Sequence, residues 1–149
     1  MPNPSRCLLD SNILLRTSRT GDPHHPMVSN ALVQLIKKDV RLCYTSQGIG
    51  EFWNVSTRPL DKNGFGLTVA ETNRLALVIE RDFEFLPDSQ EVHNRWRSLL
   101  VAHSIQGVQV HDARLVASMY VHGVEQLLTI NVKDFRRFEG LRVIHPADL

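Results

Sequence analysis

The stretch Arg6-Cys7-Leu8-Leu9-Asp10-Ser11-Asn12-Ile13-Leu14-Leu15 constrains the rest of the chain more than any other. Its apolar start reads as a short buried strand, and the strand ends on a carboxylate followed by residue types that open helices. Ser11 or Asn12 is the expected helix cap. Asp10 then belongs at a strand's carboxyl end, the edge of an open parallel sheet where loops diverge and ligands bind. Two later acids, Glu51 and Asp112, fall at comparable places, so the functional reading depends on whether all three meet at one edge.

The alternation of elements gives the sheet. A strand is expected from Val40, ending at Thr45, with Ser46 capping the next helix, which carries Glu51 in its first two turns and stops near Arg58-Pro59. Amphipathic helices are expected over 27–38 and 68–81, the second with Thr68 and Glu71 at capping-box spacing. A short strand at 83–86 precedes a helix opened by Asp88 or Ser89. Residues 108–110 read as a brief extended piece, with Asp112 at the start of a helix that ends at Gly123. Strands at 126–130 and 141–144 close the chain, around a loop or helix start at 131–134. Strands alternating with helices predict an α/β fold with a mainly parallel sheet covered on both faces, and 149 residues suit a single domain over 1–149.

Composition removes some function classes and leaves others open. With 17 basic and 16 acidic residues, the net charge of +1 gives no global pull toward nucleic acid, so any such contact must come from local clustering. Cys7 and Cys43 each sit in an apolar strand-like run, which fits small buried hydrophobes better than a disulfide or a thiolate metal site. No apolar run reaches the length of a membrane span, and residues 1–6 lack a signal-peptide core. The expected setting is the cytoplasm, with no membrane partner. The seven histidines show no zinc-ligand spacing, and Trp53 and Trp96 sit at the helical spacing of core residues.

Acids that converge on one crevice need a cation or must hold protons, since two unit charges 4 Å apart repel by about 4 kcal/mol at an effective dielectric near 20. Oxygen ligands without sulfur nearby favour magnesium or manganese. Each acid also has a plainer reading. Asp10 and Asp112 can be helix caps, and Glu51 suits a helix dipole.

Four motifs in order raise the joint reading: Leu8-Leu9-Asp10-Ser11-Asn12-Ile13-Leu14, Glu51-Phe52-Trp53, His111-Asp112-Ala113-Arg114-Leu115 and Leu128-Thr129-Ile130-Asn131-Val132-Lys133-Asp134-Phe135. Together they resemble the PIN-domain family, in particular the VapC-type toxins of bacterial toxin–antitoxin pairs, over residues 6 to about 146. The resemblance implies a three-layer α/β/α sandwich and a metal-dependent ribonuclease that hydrolyses RNA phosphodiester bonds with Mg2+ or Mn2+. It further implies a small antitoxin partner and a homodimer. The family's acids match Asp10, Glu51 and Asp112, implied as catalytic residues and metal ligands. The fourth acidic position falls on Asn131, a departure, with Asp134 as the second choice for that place. Ser11, Asn12 and Thr129 are then expected to orient ligands or water around the metal. Arg16, Arg114 and Lys133, with Arg19, Arg136 and Arg137, are the RNA-contact candidates, each weighed against an ordinary solvated side chain. His111 is a weaker substrate contact.

Two other functions compete. A degenerate PIN module that binds RNA or protein without cutting is motivated by Asn131. A phosphotransfer domain of the receiver or haloacid-dehalogenase type is also acidic at strand ends, but Asp10-Ser11-Asn12 lacks the second aspartate of its Asp-x-Asp pattern.

Overall fold

The computed structural model describes residues 4–149; Met1–Asn3, part of the N-terminal stretch read for a signal peptide, lie outside the described residues. Five parallel strands form one sheet in the order β3-β2-β1-β4-β5, where β1 is Arg6–Leu9, β2 Arg41–Thr45, β3 Glu84–Leu86, β4 Gln126–Leu128 and β5 Arg142–Ile144. Helices α1 (Ser11–Ser18), α2 (His25–Lys37), α3 (Ser46–Thr57) and α4 (Val69–Asp82) connect the first three strands, and α5 (Gln90–Ala102) and α6 (Gln109–His122) lead into β4. None of these helices is long and apolar enough to cross a membrane.

Side-chain alternation along β1 divides the core. Cys7 and Leu9 join a cluster with α1 to α4, including Ile13, Leu14, Leu32 and Phe52, while Leu8 joins one with α5 and α6, including Leu99, Leu115 and Met119. A strand buried on both faces has no polar side to show, which is why 7–9 reads as an unbroken apolar run. Both cysteines are free and buried, as small hydrophobes would be, and burial pushes each thiol up to about 12.

Three local expectations differ from the structure for physical reasons. Asp10 and Thr45, not Ser11 and Ser46, cap their helices: the Asp10 carboxylate accepts the Ser11 N–H and the Thr45 hydroxyl accepts the Gly48 N–H. Thr45 is the last residue of β2 itself, and Asp10 is the single residue between β1 and α1. The extended piece at 108–110 is helical instead. Gly107, at φ +60°, turns the chain so that Val110 and His111 donate to the Gly107 and Val108 carbonyls, and α6 starts at Gln109. Asp112 is therefore inside the first turn and is no cap. Finally, β4 stops at Leu128 because the Thr129 hydroxyl accepts the Asn131 N–H at 3.0 Å and turns the chain. The Thr68–Glu71 capping box, the Ser89 cap and the C-terminal Gly123 of α6, at φ +68°, are present as expected.

Candidate active site

The order β3-β2-β1-β4-β5 makes the gap beyond the ends of β1 and β4 the place where the chain's crossovers part to opposite sides, the standard location of a ligand crevice. Asp10 stands there, 5% exposed, with its N–H donating to the Leu128 carbonyl at 3.1 Å. Its carboxylate accepts from the Ser11 N–H at 2.8 Å, the Thr129 hydroxyl at 2.8 Å and the Asn12 amide at 3.3 Å. Thr129 is fully buried, and the Asn12 side-chain oxygen Oδ1 accepts the Ile130 N–H at 3.2 Å, so both residues tie the end of β1 to the turn after β4. Burial pushes the Asp10 carboxyl up; the Thr129 and Ser11 hydrogen bonds oppose this, and the charges of Glu51 and Asp134 add to it.

Asp112 faces the same crevice from α6. Burial pushes its carboxyl up to about 7, reinforced by Asp10, Asp134 and Glu51 and opposed by Arg137. Glu51, in the second turn of α3, is held by Gln47 one turn earlier. The Gln47 amide donates to Glu51 Oε1 at 3.0 Å and to the His111 carbonyl at 2.8 Å, which bridges α3 to the first turn of α6. Sequence reasoning passed over Gln47; its signal was the spacing of four from Glu51, which stacks the two side chains on one helix face. The Gln47 Oε1 atom is buried without a partner.

Four acids therefore feel one another at one sheet edge: Asp10, Glu51, Asp112 and Asp134. Among the described residues, however, no three acid, histidine or cysteine side chains are gathered closely enough to hold one metal ion together. Mutual repulsion favours such spacing. The donor set still suits a hard divalent ion, since magnesium binds through one or two carboxylates and completes its shell with water and substrate phosphate oxygens. Asn131, the positional match for the fourth acid, is exposed, and its N–H goes to Thr129. The charge near the crevice comes from Asp134.

The basic candidates separate. Arg16 pairs with the buried Asp22 at 2.5 Å, which makes it part of the α1–α2 turn. Arg114 pairs with Asp88 at 3.1 Å and lies over the Trp96 ring, engaged with the segment around α5. Arg19 stacks on Phe65 at 3.6 Å. Arg137 donates to Gln109 at 2.7 Å and sends its charge to Asp112. Lys133 and Arg136 line a cavity with Asn131 and Asp134. His111 is exposed, and its carbonyl takes the Gln47 bond. Trp53 packs half-buried against the core of α1 to α4, and Trp96 is half-buried with its indole N–H donating to the Val110 carbonyl at 2.8 Å. A cavity of about 420 Å³ between α3, α4 and β3 contains none of the four crevice acids.

The fold is found in solved proteins. The chain superposes on the Rickettsia felis VapBC2 structure, bound to a promoter DNA fragment, with a TM-score of 0.68 and 17% identity, covering 94% of this chain and 98% of that one. Its fold is that of the VapC toxins. A Klebsiella pneumoniae toxin–antitoxin complex matches with a TM-score of 0.63 and 23% identity over 94% of this chain and 97% of that one. Mycobacterium tuberculosis VapC20, a toxin that cleaves the sarcin–ricin loop, matches with a TM-score of 0.60 and 15% identity over 81% and 86%. The PIN-like three-layer architecture expected from the four motifs is therefore the one present. No family model and no curated protein matches the sequence.

Proposed function

We propose that this chain is an endoribonuclease dependent on magnesium or manganese, the toxin of a type II toxin–antitoxin pair acting in the cytoplasm. One observation carries the reading: at the crossover point of a VapC-like sheet, the charges of Asp10, Glu51 and Asp134 raise the proton affinity of Asp112, and those of Glu51 and Asp134 raise that of Asp10. Like charges kept together at a ligand-binding edge destabilise the protein unless they serve a cation or a proton transfer.

Asp10 and Asp112 would hold the ion, and Glu51 would reach it directly or through water. Asp134 supplies the negative charge that Asn131 does not. When bound, such an ion polarises the phosphate and renders a water acidic enough to attack phosphorus. The protein's own part is orientation. Thr129, Asn12 and the Ser11 N–H fix the Asp10 carboxylate, and Gln47 fixes Glu51 against α6. Above pH 7, Asp112 is deprotonated and able to act as a ligand. The solved complexes with antitoxins support a small antitoxin as partner, and the family resemblance supports a homodimer.

The test is cleavage of structured and single-stranded RNA by the purified chain in magnesium, with the new ends sequenced. Asp112→Asn should lower the rate by at least about a hundredfold, the upper range seen for disturbed metal shells. Full activity in that variant would remove Asp112 from the reaction. A binding module without cleavage is the second reading, favoured by Asn131 and by the absence of a closed three-ligand group among the described residues. Metal binding with RNA left intact would select it.

A further inference from the structure

Beside the acid crevice lies a concavity of about 340 Å³ lined by Ile130, Asn131, Val132, Lys133, Asp134, Arg136 and His145. Its volume is within the range of small-molecule sites, about 300 to 1,000 Å³. Asp134 joins it to the acid site, because the charge of Asp134 reaches both Asp10 and Asp112.

Its lining is chemically mixed in an ordered way. Ile130 and Val132 give apolar surface. Asn131 offers an amide donor and acceptor, with no side-chain hydrogen bond among the described residues. Lys133 and Arg136 make no ion pair among the described residues, unlike Arg16 and Arg114. His145 Nδ1 accepts the Ala147 N–H at 3.0 Å, which leaves Nε2 as the ring's donor. A flat apolar body, a hydrogen-bonding edge and an anion are the three parts such a wall can take at once, and a nucleotide has all three.

We propose that this cavity is the binding subsite for one nucleotide of the RNA strand next to the scissile phosphate. Its base lies on Ile130 and Val132 with its edge read by the Asn131 amide, and its phosphate is met by Lys133, Arg136 and His145. The departure at Asn131 thus acquires a role: an amide can pair with a base edge, which a carboxylate beside other acids does less well. The inference rests on the ribonuclease reading for its substrate class. It does not require that the chain cleave.

The experiment is an NMR titration of the full chain with the dinucleotides ApA and UpU in EDTA, where binding is read without cleavage. Expected are shifts in the amides of 130–136 and 145, and a Kd weakened roughly fivefold by Lys133→Ala or Arg136→Ala with a shallower salt dependence. Arg97→Ala, an exposed change on α5, should leave the Kd as it is. Asn131→Ala should narrow the difference between the two dinucleotides. Absence of binding at millimolar probe, or binding that neither variant weakens, would overturn the subsite. If the chain cleaves RNA and fails here, the subsite falls and the nuclease stands; if it binds here and never cleaves, the reverse holds.

Discussion

At the residue scale, the site balances burial against hydrogen bonding. Asp10 is held in place by Thr129, whose hydroxyl donates to one carboxylate oxygen and accepts the Asn131 N–H. Thr129→Val keeps the shape and removes both bonds together with the one the hydroxyl accepts from the Asn12 amide, leaving a buried oxygen short of a donor at a cost of about 1 to 3 kcal/mol. A lower urea midpoint with an unchanged m-value is expected. Asp112 works in the other direction. Its carboxyl titrates near 7 in the folded chain and at 3.8 when unfolded, so the folded state binds the extra proton between those values. The resulting stability is complete below pH 4 and is lost as pH rises through about 7. Asp112→Asn should abolish that loss and, at pH 8, raise stability by roughly 1 to 2 kcal/mol after allowance for screening at a half-open position. Thermal melts of the metal-free protein from pH 5 to 8 measure it, and a flat wild-type profile would refute it.

At the element scale, caps and crossovers decide where the side chains point. The capping box on α4 satisfies N–H groups at both Thr68 and Glu71. Thr68→Ala should cost about 1 kcal/mol in chemical denaturation, with the active edge untouched. The α3–α6 bridge is a different kind of contact. Gln47→Ala removes the amide that ties Glu51 to the His111 carbonyl, so RNA cleavage should fall with little change in melting temperature, and an unchanged rate would make Gln47 packing only. These elements also show what a sequence can and cannot reveal. The Thr68 box and the Ser89 cap are legible because their partners lie three residues away, and the apolar run at 7–9 because burial on both faces leaves its mark in residue type alone. The start of α6 was not legible, because Val108-Gln109-Val110 alternates like a strand and only the turn at Gly107 makes it helix. The engagement of Arg16 with Asp22 and of Arg114 with Asp88 was also hidden, since a charge's partner is set by tertiary distance. Asp10 and Asp112 could be matched by motif, whereas the nearness of Asp134 depends on the turn built by Thr129.

At the scale of the whole molecule, the sheet order brings together charges that the rest of the fold must stabilise. The two apolar layers on either side of β1 hold the chain together while four acids oppose one another at the β1–β4 edge. A ligand that binds the folded state alone stabilises it by RT ln(1 + [L]/Kd), about 2.7 kcal/mol at a hundred times Kd. Magnesium should therefore raise the melting temperature, and by an amount that depends on pH, because below about 7 a proton occupies Asp112 and competes for the same oxygens. The increment should be small at pH 5.5, grow through pH 7 and level off by pH 8. For a domain of this size, each kcal/mol corresponds to roughly 2 to 4 °C. Asp112→Asn should remove most of the increment and its pH dependence together, while Arg97→Ala should keep both. An increment that is the same at pH 5.5 and pH 8 would mean that the ion binds elsewhere. The shared field of the four acids would then be a cost borne by the fold for another purpose.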